Sequence, residues 1–232
     1  MKYFFFLVIH LSLSTYCLAQ EKKEKGNTPD YSISGDAQLL SQFVYKGLGF
    51  SDNNPAMNAS FLANLGSQVK LGVWGSNISN LSAVDDNFWL RFVAKVDVFF
   101  SDKFKVNVFL YDNHFYKSNQ RDGLNIGGDF TYKSFEFGLE WMNNLEGTKA
   151  SAEYLWVGKL FDYKKNFKFG GYAGTTISHV GTIQSWVDLK IVGQYIISPI
   201  AYAEIGATLN SNTSQFGNRD DPTVYTGVKL SY

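Results

Sequence analysis

Cysteine is almost missing from this chain of 232 residues: Cys17 is the only one, and it sits in the first twenty positions. A mature chain without that segment has no disulfide framework, no thiol nucleophile and no zinc–cysteine site. Histidine is nearly as scarce, with His10, His114 and His179. Formal net charge is zero, so no global basic field awaits nucleic acid. Beyond the N-terminus no apolar run approaches the roughly 20 residues of a membrane helix. Heptad, P-loop and dinucleotide patterns are missing as well. The chain is rich instead in aromatic residues, at 17%, and in glycine, with 21 residues.

The N-terminus "MKYFFFLVIHLSLSTYCLAQ" places Lys2 before an apolar run, Phe4 to Leu13, and ends in small residues. It reads as a secretory signal peptide, residues 1–19, cleaved after Ala19. A membrane anchor is the alternative, but the run is short for a span. Acylation at Cys17 is another, opposed by Tyr16 where a small residue is expected. Residues 20–35 follow as a charged N-terminal tail, and residues 36–232 form one domain.

Period two dominates that domain. In "FWLRFVAKVDVFF", Phe88, Leu90, Phe92, Ala94, Val96, Val98 and Phe100 share one face, while Arg91, Lys95 and Asp97 lie on the other. A turn at Ser101-Asp102-Lys103 pairs Phe100 with Phe104 and Val98 with Val106, keeping both apolar sets on one side. Asp97 then lies opposite Asn107 and diagonal to Lys105. Turns at Gly66-Ser67-Gln68, Lys133-Ser134 and Ser198-Pro199-Ile200 close further hairpins by the same test. Other strands fall near 37–47, 150–161, 167–177 and 223–232. The total is about twelve antiparallel strands, an even number, each long enough to cross a bilayer at a tilt.

Short connections alternate with longer polar ones near 51–55, 79–86, 113–122, 143–149, 178–182 and 210–222, the layout of an all-β transmembrane barrel with short periplasmic turns and longer extracellular loops. A soluble sandwich or lipocalin-like barrel would also alternate, with its charged face outside. Aromatic residues near strand ends favour the membrane barrel, since interfacial girdles use them. In that arrangement the lumen-lining charges are Lys70, Arg91, Lys95, Asp97, Lys105, Glu136, Glu140, Glu153, Lys159, Asp188, Lys190, Glu204 and Lys229. Water in the lumen tolerates them, whereas a Lys or Arg facing lipid at mid-membrane costs about 2–4 kcal/mol. The chain ends inside a strand, "DPTVYTGVKLSY"; pairing of that strand with the first one removes both sheet edges.

The stretches "SQFVYKGLGFSDNNPAMNASF" (41–61) and "LGVWGSNIS" (71–79) resemble the opening of the TorF family of porin-like exported bacterial proteins. The resemblance rests on Lys46-Gly47, on the turn Ser51, Asp52, Asn53, Asn54, Pro55 with Ala56, and on Trp74-Gly75-Ser76-Asn77. It covers roughly 40 residues and implies an outer-membrane barrel with a channel role. The terminal Val228, Leu230 and Tyr232 likewise resemble the signal that the barrel-assembly machinery reads. Physically, "SDNNPA" is a tight Asx-type turn in which Pro55 sets the start of the next strand. Asp52 and Asn54 lack the rest of a calcium loop.

No metal, cofactor or catalytic residue is expected. Ser178 beside His179, or Ser118 near His114, could be cast as a lipid hydrolase, but neither pairing forms a motif, and sequence neighbours on a strand face opposite ways. The expected function is passive diffusion of small hydrophilic solutes or ions across the outer membrane, with outer-membrane lipid and the assembly machinery as partners and no nucleic acid. A closed barrel with a structural or surface-binding role is the alternative.

Overall fold

The computed structural model describes residues 31–79, 86–101, 104–212 and 214–232. The expected signal peptide, most of the charged tail and the tip of the 101–103 turn lie outside these. The strands are β1 (Tyr31–Leu40), β2 (Val44–Tyr45), β3 (Leu48–Gly49), β4 (Ala56–Leu65), β5 (Val69–Asn77), β6 (Phe88–Ser101), β7 (Phe104–Phe115), β8 (Gly123–Tyr132), β9 (Phe135–Met142), β10 (Ala152–Lys164), β11 (Phe167–Ser178), β12 (Trp186–Ser198), β13 (Ala201–Asn210) and β14 (Thr223–Ser231). Twelve of them close an antiparallel barrel, each paired to its neighbour in sequence, with β14 returning to β1. Closure runs through Asp36 opposite Ser231 and Leu40 opposite Gly227, so neither edge is left open. The pair β2–β3 stands apart as its own small sheet.

The hairpin registers follow the side-chain alternation. Ala63 faces Leu71, Val98 faces Val106, Phe130 faces Phe137 and Leu189 faces Leu209. Lys133 and Ser134, both at positive φ (47° and 68°), make the two-residue turn between β8 and β9. Two expectations are corrected. Phe104 pairs with Ser101 rather than Phe100, because the register shifts there; matching shifts fall between Asp162 and Lys164 and between Ile196 and Ser198. Each puts one extra residue in one strand beside a short turn, which sharpens the local bend.

The first strand is the second correction. It spans Tyr31–Leu40, not 37–47, so residues 31–35 of the expected tail belong to the wall. Ile33 faces Ala63 and Gly35 faces Phe61, which continues the alternation backward. After Leu40 the chain leaves the wall. Phe43 and Tyr45 imitate strand periodicity, but Phe43, Leu48 and Phe50 bury themselves in an apolar cluster rather than extending the ladder.

The outer surface carries Ile33, Phe61, Leu71, Phe92, Leu139, Leu189, Ile191 and Ile205, each between 44% and 65% exposed. Buried polar and charged residues, among them Arg91, Asn125, Glu140 and Asp188, occupy the inward face. A water-soluble barrel has the opposite polarity; this one is built for an apolar surround. Near the short turns, Phe130 stacks on Phe137 and Phe161 on Phe169, both at 5.5 Å, as in an interfacial aromatic girdle.

Candidate functional site: an inward segment and the cavity beneath it

Residues 41–55 form the connection between β1 and β4, and they fold into the barrel at its long-loop end. Lys46 (φ 52°) and Gly47 (φ 76°) turn the β2–β3 hairpin with both central residues left-handed, which glycine supplies without strain. Phe43, Leu48 and Phe50 then pack against Trp89, Phe115, Met142, Leu145 and Trp186 from the wall and loops. Phe50 lies 5.4 Å from Trp89, and Trp89 stacks on Phe115 at 5.0 Å. One wall and one loop side chain hold the segment's carbonyls: Trp186 Nε1 donates to Lys46 O at 3.1 Å, and Arg219 Nε donates to Gly49 O at 3.0 Å.

The turn at Ser51, Asp52, Asn53, Asn54 and Pro55 anchors the far end of this segment. The buried Ser51 Oγ accepts from Phe43 N at 2.9 Å and donates to Asn54 O at 2.7 Å. Asp52 and Asn53 take positive φ, and Asn54 N donates to Ser51 O at 2.8 Å, so the expected Asx-type turn is instead a backbone β-turn with two left-handed central residues; Asn54 Nδ2 braces it on Asp52 O at 3.0 Å. Asn77 of β5 donates to Pro55 O and accepts from Met57 N. The Lys-Gly, Ser-Asp-Asn and Trp-Gly-Ser-Asn stretches therefore build one object: the inward hairpin, its hinge-side turn and the bracket that holds it.

The hairpin tip meets the lumen wall at Glu140. Lys46 Nζ lies 2.7 Å from Glu140 Oε1, with both side chains under a tenth exposed. Asn125 also donates to Glu140, and Tyr45 OH does so at 3.4 Å. Arg91, on the same inward face, donates from Nε to Asn113 at 2.8 Å and from Nη2 to Tyr45 OH at 3.3 Å; its guanidinium lies over the Tyr111 ring at 4.5 Å. Lys46, Asn125 and Tyr45 all converge on Glu140 Oε1, and losing one member of a buried ion pair strands the charge of the other.

Above the hairpin, Glu146 joins two loops. Its carboxylate lies 2.8 Å from Arg219 Nη1 and 3.2 Å from Arg121 Nη2. Burial alone would raise the Glu146 carboxyl; the Arg219 and Arg121 guanidiniums outweigh it and hold the group below its ordinary range. The contribution of this cluster is therefore complete above the unfolded carboxylate value of about 4.3 and is lost as pH falls through the lower folded value. Melting of the refolded protein, followed from neutral to acid pH, is expected to show a loss in that acid window. Glu146→Gln should lower the midpoint already at neutral pH and flatten the acid step; an unchanged profile would refute the assignment.

Strand parity places Lys70, Arg91, Lys95, Asp97, Lys105, Glu136, Glu140, Asp188, Lys190, Glu204 and Lys229 on the inward face. Within it Lys70 pairs with Asp97, which also accepts from Asn107 at 2.8 Å; Lys229 lies 3.6 Å from Asp36; and Glu204 accepts from Gln38 at 2.8 Å. Glu153 and Lys159 are corrected: both point outward. In β10 the even positions face in, beginning with the fully buried Ala152, so aromatic Tyr154 and Trp156 take the lumen and their charged neighbours do not. Both outward charges sit at a rim. Glu153 pairs with His179, and Lys159 lies over Phe135 and Phe161 at 4.2 and 4.8 Å, with its stem along the girdle. Val228 and Leu230 face outward on β14, and Tyr232 is exposed beyond its end.

The serines do not meet the histidines. Ser118 Oγ donates to Asp86 at 2.7 Å and Ser178 Oγ accepts from Val180 N, whereas His114 lies against Asp112 and Asp122.

Two cavities lie in the barrel below the hairpin. One, about 340 Å³, is roofed by Tyr45, Lys46 and Gly47 and walled by residues including Arg91, Tyr111, Asp188 and Lys190. The other, about 490 Å³, lies toward the short turns around Lys70, Asp97 and Lys105; Asp129 and Trp156 border both. The walls keep this space by pairing rings with glycines. A Cβ on Gly138 would land within the Trp156 indole, and one on Gly158 within the Tyr172 ring. Tyr45, Asp129, Trp156 and Tyr172 were not singled out from the sequence, and Lys46 only as part of the Lys46-Gly47 motif. Parity already put Asp129 beside Gly128 and Phe130 on the opposite face, and in the register Gly138 faces Trp156.

A closed twelve-strand barrel with an apolar exterior and a charged interior is the porin-like class. The solved "KdgM porin in complex with disordered oligogalacturonate" superposes with a TM-score of 0.58 at 9% identity, over 86% of this chain and 99% of that one. The NanC porin gives 0.56 at 8% identity, again over 86% and 99%. Identities this low show a shared fold. The chain belongs to the family described as "Bacterial protein of unknown function (Gcw_chp)", whose model matches residues 24–184. No curated protein matches the chain.

Proposed function

We propose that the protein is an outer-membrane channel of porin type for small hydrophilic solutes, closed at its long-loop end by residues 41–55 and opened when that segment withdraws. The carrying observation is the charged inward face that continues through both cavities and stops at the hairpin. The apolar exterior, the N-terminal export signature and the likeness to porins support placement in the outer membrane, long loops outside. The motifs shared with TorF porins support the finer family name. Outward Val228 and Leu230 with terminal Tyr232 suit recognition by the barrel-assembly machinery.

Single-channel recording of the refolded mature protein in a planar bilayer tests this, with folding checked by heat-dependent gel mobility. The intact protein is expected to open rarely. A variant with 44–49 replaced by a short glycine linker should show sustained steps, with open occupancy raised about tenfold or more. The buried packing of Phe43, Leu48 and Phe50 favours a second reading, a permanently closed structural barrel. Folded barrels of both proteins that never conduct would establish it over the channel.

A further inference from the structure

The cavity under the hairpin is more than a passage. Asp188 and Tyr225, both on its wall, are 6% and 4% exposed. Asp188 Oδ1 accepts from Tyr154 OH at 3.2 Å, but among the described residues Oδ2 has no hydrogen-bond partner, and neither has Tyr225 OH. Lys190 Nζ lies 5.3 Å from the Tyr225 ring centre. Two unsatisfied buried oxygens beside an ammonium, on one wall, call for a ligand that both donates and accepts hydrogen bonds.

The opposite requirement is apolar. Trp156 stands between Gly138 on β9 and Gly174 on β11, its direct partners in the two ladders. The indole lies over Gly138, and the Tyr154 hydroxyl and Asp188 Oδ2 lie over Gly174. Tyr225 covers Gly206 in the same way. Rings laid on side-chain-free wall leave the bore open and offer it a flat face. Tyr154 stacks on Trp156 at 5.4 Å and 21°, which braces the indole against the wall. The wall's ionised groups cancel, with Lys46, Arg91 and Lys190 against Asp129, Glu140 and Asp188. A net anion or cation therefore gains nothing from the site as a whole.

We infer that this cavity is a binding site for a neutral sugar of one or two rings, its C–H face on the Trp156 indole and its hydroxyls on the polar groups that Asp188, Tyr225 and Lys190 bring to the wall. The inference deepens the channel reading and rests on it, since solute reaches the site along the lumen. Flat apolar faces with a few convergent polar groups are what small-ligand sites use for orientation.

Calorimetric titration of the refolded mature protein in detergent tests it, using glucose, galactose, maltose and sucrose, with galacturonate and glucosamine as charged comparators. The same titrations on the 44–49 linker variant remove the roof as an obstacle. Saturable binding of at least one neutral sugar, stronger than either charged comparator and weakened about tenfold or more by Trp156→Ala and by Asp188→Asn, is the expected result. Gel mobility confirms that both variants fold. No saturable binding of a neutral sugar by either roofed or unroofed barrel overturns the site, as does preference for the acid or the amine, or indifference to both substitutions. Current is not part of this readout. A barrel that conducts without binding sugar removes the site alone, and one that binds sugar without conducting removes the channel alone.

Discussion

Replacing Lys46 by methionine is expected to loosen the inward hairpin and raise the open occupancy of the barrel about thirty- to a hundred-and-sixtyfold. Lys46 and Glu140 are paired at 2.7 Å with little solvent on either side chain. Breaking a buried pair from one side costs about 3–5 kcal/mol, mostly because the abandoned charge stays buried. Glu140 keeps its bonds to Asn125 and Tyr45, and Tyr45 links it to Arg91, so the expected cost is about 2–3 kcal/mol, below that range. Lys46→Met with Glu140→Met should return the barrel part of the way toward the shut state, since neither member of the pair is then left alone and Arg91 keeps its bonds to Asn113 and Tyr45. Single-channel recording of the two variants reads this directly. If Lys46→Met gates like the parent protein, the ion pair is not the latch.

Gly138→Ala is expected to destabilise the barrel and narrow its bore at once. The new Cβ would occupy the space of the Trp156 indole, and the neighbouring backbone belongs to two ladders that cannot give way. The ring must therefore swing off the wall into the bore. Overpacking of this kind costs about 1–3 kcal/mol, and here it also narrows the path. Trp156→Ala in the same chain should restore most of the lost stability and reopen the bore. Denaturant unfolding of the four members of this cycle measures the coupling; additive effects would show that the glycine does not exist to seat the ring.

How far the sequence discloses the architecture can be judged at particular residues. The barrel was legible because Phe92, Ala94 and Val96 alternate with Arg91, Lys95 and Asp97 over strands long enough for the period to be unmistakable. The inward hairpin was not, because Phe43 and Tyr45 also alternate, and a buried two-residue strand carries the same local pattern as the wall. Only contacts to Glu140, Trp186 and Arg219, far away in the chain, tell the two apart. The lumen was legible in its charges and hidden in its rings. Equating charge with the inside fails at Glu153 and Lys159, since rim positions let a charge reach water from the outer face. The same equation missed Trp156 and Tyr172, which line the bore because a glycine opposite gives each ring a seat.

The hairpin's attachments also fix an order of events during assembly. Lys46 meets Glu140 94 positions away, Gly47 O accepts from Asn210 across 163, and Gly49 O accepts from Arg219 across 170. Glu140 comes from mid-chain, but Asn210 ends β13 and Arg219 lies just before the last strand, and loop closure over such separations must be offset before any contact rewards it. The hairpin is therefore expected to dock late, into a wall already largely assembled. On that order, the motion proposed for gating is a late step of folding run backward.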